Sequence, residues 1–177
     1  MSVLRRLATR FWRDERANPT IEFVIMFPVM VFFLLSAVEL GFMTMRNTML
    51  ERAVDMTVRD IRLSTGMNLQ HSDIKNTICD RAGMLPDCRD NLRLEMVQID
   101  PRNWSTPDST ADCTDQSQEA RPVRNFENGQ ENQMMLIRAC LKFRPVFPLT
   151  GLGKSLTTDA AGHAAMVASS AFVQEPL

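Results

Sequence analysis

Phe23-Val24-Ile25-Met26-Phe27-Pro28-Val29-Met30-Val31-Phe32-Phe33-Leu34-Leu35-Ser36-Ala37-Val38 carries no charge, and its reading decides the fold. A helix needs about 20 residues to cross the hydrocarbon core of a bilayer. The run reaches that length only by extending back through Glu22 or on past Glu39 to Met45. Either way a carboxylate lies at or within the apolar segment, where it is costly and needs a partner. Pro28 removes one helical hydrogen bond and predicts a kink or loosening there. Lipid tolerates such a break where neighbouring helices cover it. A secretory signal peptide would close on a small-x-small exit, and Ser36-Ala37-Val38-Glu39 offers none. The segment therefore reads as an anchor.

Charge on either side of the anchor orients it. Residues 1–17 hold five arginines (Arg5, Arg6, Arg10, Arg13, Arg16) against Asp14 and Glu15, a balance of +3. The whole chain of 177 residues carries −1, which leaves −4 on the rest. Basic flanks stay in the cytoplasm, so the remainder is expected in the periplasm. Nothing in this balance suggests a nucleic-acid partner. The four cysteines, Cys79, Cys88, Cys113 and Cys140, all follow the anchor, as suits an oxidising compartment and two disulfides. Four cysteines allow three connectivities. The preferred pairing is Cys79–Cys88, closing a short helix-to-strand loop, with Cys113–Cys140 fastening a polar loop to a strand.

Past the anchor, Met45, Met49, Ala53, Met56, Asp60 and Leu63 keep helical spacing. One helix is expected from about Thr20 to Thr65, stopped by Gly66. At 1.5 Å per residue it would run about 65–70 Å, half as anchor and half as the spine of a domain. The methionines read as core filler. Ser72 predicts the cap of a short helix carrying Ile74 and Ile78 and ending at Gly83. Leu92, Leu94 and Met96 alternate with Arg93 and Glu95 in a strand to about Ile99. Residues 101–132 read as a long polar loop, tied down by Cys113. Met134 to Phe143 and Ala164 to Val173 are two further strands. The expected fold is α+β: a long transmembrane helix continuing as the spine of a small periplasmic domain with a three-stranded antiparallel sheet. Its expected divisions are a cytoplasmic leader (1–17), the transmembrane part of the helix (18–45) and the periplasmic domain (46–177).

Little of the chain suggests catalysis. Gly151-Leu152-Gly153-Lys154-Ser155 resembles the end of a phosphate-binding loop, but Pro148 stands where the motif wants glycine. A flexible turn between strands is expected there instead. Asp100, Asp112 and Asp115 read as solvated loop carboxylates. His71 and His163 make no metal-ligand pair, and the cysteine spacing is too wide for zinc. The expectation is a non-enzyme with no metal and no cofactor.

Asp14-Glu15-Arg16-Ala17-Asn18-Pro19-Thr20-Ile21-Glu22-Phe23, running through Pro28 to Val38-Glu39-Leu40-Gly41, resembles the TadE-like family, minor pseudopilins of the Tad (Flp) pilus system. The end, Ala168 to Pro176, is similar to that family's final strand and Glu-Pro close. The resemblance implies a prepilin-type peptidase acting on the cytoplasmic side, between Ala17 and Asn18. Glu22 is then the carboxylate at mature position five and Phe23 the aromatic after it. Ala17 stands where glycine is usual, and Pro19 occupies mature position two. The new amine of Asn18 could pair with Glu22 and lower its cost in the bilayer. Glu39 could pair with a partner helix or reach outward to water. The implied partners are the inner membrane, the major Flp pilin, other minor pseudopilins, the peptidase and the inner-membrane platform. The alternatives are a minor pseudopilin of a type II secretion system, whose likeness at Ala17 to Phe23 is poorer, or an anchored periplasmic enzyme or binding domain. An enzyme's anchor usually ends in a flexible linker, whereas this helix runs into the domain.

Overall fold

A 44-residue helix, α1 (Pro19–Arg62), dominates the structure, a computed structural model that describes residues 19–103, 108, 110–114 and 125–176. It continues on both sides of Pro28. There follow α2 (His71–Ala82), the single turn α3 (Cys88–Asn91), β1 (Leu92–Ile99), β2 (Met134–Phe143), the short α4 (Gly151–Ser155) and β3 (Ala164–Val173). The strands form one antiparallel sheet in the order β1-β2-β3. The fold is the expected α+β arrangement.

Strand periodicity selects the sheet's inner face. Leu92, Leu94 and Met96 share it with Met135, Ile137, Ala139, Leu141 and Phe143, and with Ala164, Met166, Ala168 and Phe172. Leu50, Ala53, Val54, Val58 and Ile61 of α1 recur at three- and four-residue spacing and close the core. Ile74, Ile78 and Ala82 of α2 complete it. Truncating a residue such as Leu50 in a core of this kind costs about 2–5 kcal/mol.

The outer face is partly charged. Arg138 pairs with Glu95 at 2.6 Å and Arg93 with Asp112 at 2.7 Å, all four largely buried. Asp112 is thus an ion-pair partner, where a solvated loop carboxylate was expected. Disulfides join Cys79 to Cys88 and Cys113 to Cys140. The second holds residues 110–114 against the sheet. By loop length alone the two bridges contribute about 2.5–3.5 kcal/mol each.

Several local expectations are corrected. The helix ends at Arg62, not Thr65, because the chain's own C-terminal segment takes its last carbonyls. Gln174 Nε2 donates to Ile61 O at 2.8 Å, and the Glu175 amide donates to Arg62 O at 3.2 Å. Ser72 lies inside α2, whose first residue is His71, and Gln70 precedes it without a side-chain cap. Residues 151–155 form a helical turn, not a flexible one. The 101–132 segment is not all free loop either. The Met96 amide donates to Asn125 O, and the Glu127 amide donates to Met96 O, so 125–127 covers the outer edge of β1.

Candidate functional site

The apolar half of α1 is largely exposed. Phe23, Val24, Ile25, Met26, Phe32, Phe33 and Leu34 all face outward, and none of the described residues of the domain covers them. Among the described residues α1 is the one helix long and apolar enough to cross a membrane, as fits a single-pass anchor. Glu22 sits exposed in its first turn, where the helix dipole favours a negative charge. Phe23 is exposed beside it, its ring 5.2 Å from that of Phe27. Ala17 and Asn18 lie outside the described residues.

Glu39 is the exception on this helix. It is 0% exposed although residues on both sides of it are open. Its Oε1 accepts the Val146 amide at 3.0 Å and its Oε2 the Phe147 amide at 2.7 Å. From the sequence, a partner helix or an outward reach to water is expected for it. The structure instead supplies its partners from the same chain. The donors come from Pro145-Val146-Phe147-Pro148, where prolines bracket the only two amides of the tetrapeptide.

The rest of this segment is fitted to the helix. Above Glu39, Arg46 Nη1 donates to Arg144 O at 3.2 Å while its guanidinium lies 5.5 Å from the Phe143 ring centre. Below Glu39, Gly151 meets Ser36: a Cβ at Gly151 would stand 2.5 Å from Ser36 Oγ, and its φ of 55° also favours glycine. Gly153 is equally confined, since a Cβ there would lie 2.4 Å from Phe147 O. The glycines that suggested a phosphate loop are therefore packing glycines. Ser36 Oγ donates to Phe32 O within the helix, leaving no polar demand at that contact.

Polar groups tie this junction to the sheet. Arg144 Nε donates to His163 Nε2 at 3.2 Å, and the His163 amide donates to Asp159 Oδ1 at 2.8 Å. Burial raises the Asp159 carboxyl, but the His163 amide and the Lys142 ammonium, 3.0 Å away, outweigh it and hold the group below its ordinary value. This arrangement can fix a domain rigidly to a membrane helix.

Residues 20–59 match the TadE-like protein family. The match spans both the exposed apolar half of α1, with Glu22 and Glu39, and most of its buried spine. The matched segment thus joins the exposed apolar half and the buried spine in one unbroken helix. No curated protein and no solved structure gives a significant match to the chain.

Proposed function

We propose that the chain is a minor pilin-like subunit, a pseudopilin, required for assembly of a Tad (Flp) pilus, and that it acts structurally and not as a catalyst. In this reading α1 crosses the inner membrane from Pro19 to about Met45, with residues 1–17 cytoplasmic and the domain of residues 46–177 periplasmic. The charge-free surface is longer than its sequence suggests. With Glu39 turned into the domain, apolar exposure continues through Leu40 and Phe42 before Arg46. Within this span Phe23 to Phe42 gives about 30 Å of helix, matching the hydrocarbon core, and Met43 to Arg46 lie among the headgroups.

The observation that carries the reading is the TadE-like match along a helix that enters the domain without a break. A continuous rod transmits lateral packing in the membrane to the domain. Related pseudopilins, the major Flp pilin and the inner-membrane platform are the partners this implies. The prepilin peptidase would act first, between Ala17 and Asn18.

The test is complementation of a deletion strain, with pili counted by electron microscopy. The full chain should restore pili. A chimera with residues 19–45 replaced by an unrelated single-span helix of equal length should insert and still fail. Restoration by the chimera would show that α1 is only an anchor.

A further inference from the structure

We propose that residues 144–152 form a membrane-interface loop, seated among lipid headgroups and upper acyl chains beside α1. The proposal rests on the membrane span assigned above to Pro19–Met45. Three contacts set the loop's depth. Arg144 is held at the level of Arg46, Val146 and Phe147 at Glu39, and Gly151 at Ser36. Along a helix rising 1.5 Å per residue, the loop descends about 15 Å from Arg46 towards the apolar end. A headgroup layer is only about 5–8 Å thick on each side of the bilayer. With Arg46 among the headgroups and the hydrocarbon edge near Phe42, the lower part of the loop enters the upper acyl chains, reaching about 9 Å below that edge at Ser36.

Its surface suits that depth. Leu149 is 83% exposed and Val146 40% exposed, facing outward from the domain. Isolated apolar residues on a surface are ordinary. These two, however, belong to a segment held against Ser36 and Glu39 of α1, within the level of the apolar helix whose Leu40 and Phe42 are also exposed. Part of the loop's backbone polarity is also satisfied internally, as lipid favours. Pro145 and Pro148 have no amide, Val146 and Phe147 donate to Glu39, the Thr150 amide donates to Phe147 O, and Arg144 O accepts from Arg46. Exposed Lys154 follows at the end of α4, where an ammonium can reach phosphate. The occupant is therefore a lipid surface, and Glu39 is the group that keeps the loop dry.

The test places one tryptophan at a time in the full chain, with Trp12→Phe and Trp104→Phe as background. Each protein is reconstituted in phosphatidylethanolamine/phosphatidylglycerol nanodiscs containing brominated acyl chains. Phe32→Trp reports the span, Leu149→Trp the loop, and Val167→Trp the outer face of the sheet. Expected is strong quenching at Phe32→Trp, about half as much at Leu149→Trp, and little at Val167→Trp. Quenching at Leu149→Trp no greater than at Val167→Trp, with Phe32→Trp quenched, would overturn the loop and leave the span standing. Absence of quenching at Phe32→Trp would overturn the span, and the loop's seating with it.

Discussion

Both oxygens of Glu39 are engaged by amides of a segment that also touches the helix above and below it. Removing the carboxylate leaves two buried N–H groups without acceptors, at about 1–3 kcal/mol each. Glu39→Ala should therefore lower the thermal midpoint of the full chain in detergent by about 5 °C or more. Glu39→Gln keeps one acceptor oxygen and should recover part of that loss. Membrane insertion should be unaffected in both, as measured by carbonate extraction, because the apolar surface is unchanged. An Ala variant as stable as the parent would mean that water or lipid headgroups satisfy the loop amides. At the other end of the spine Gln174 plays a comparable part, donating to Ile61 O and to Thr65 Oγ1. Gln174 and Glu175 thus cap the spine.

At the scale of elements, α2 is docked to the edge of β1 by one titrating group. The Leu94 amide donates to His71 Nε2 at 3.3 Å, which requires that nitrogen to be unprotonated. Burial, with Lys75 and Arg93 nearby, holds the imidazole below its ordinary 6.5. On acidification the unfolded chain takes up this proton first. Stability is therefore complete above about 6.5 and falls as pH drops towards the folded value. Asp159 acts in the same direction at lower pH, its contribution present above 3.8 and lost below it. Thermal midpoints between pH 8 and 5 should fall for the parent and stay flatter for His71→Gln, and parallel curves would refute the assignment. The elements themselves are legible in the sequence, because alternation at Leu92, Leu94 and Met96 and the helical spacing after Met45 are local signals. The covering of the β1 edge and the burial of Glu39 are not. Val146 lies 107 residues from Glu39 and contributes only an amide, which nearly every residue possesses. The glycines at 151 and 153 did carry a signal, but close packing and phosphate binding ask for the same residue type.

For the whole molecule, the proposed assembly role gives the two carboxylates of α1 different parts. Glu39 is buried, with both oxygens engaged by amides of its own chain, so it is not presented to a neighbour. Glu22 is exposed on an apolar surface at the opposite end of the anchor. An unpaired carboxylate in mid-bilayer costs about 2.5–3.5 kcal/mol on insertion scales and less near the edge. Cleavage before Asn18 would place an α-amine four residues away, on the same subunit or on one packed beside it. Pairing of the two would fix the register of neighbouring helices without needing any domain contact. Glu22→Gln keeps size and polarity while removing the charge, and Glu22→Ala also removes the desolvation cost. Both variants should insert normally and be cleaved nearly normally, judged by intact mass of protein from its own host. Both should nevertheless lose most pili, whereas a Glu39→Gln strain should retain them in proportion to the folded protein present. Pilus numbers unchanged in both Glu22 variants would show that the charge is a bystander and that apolar packing alone sets the register.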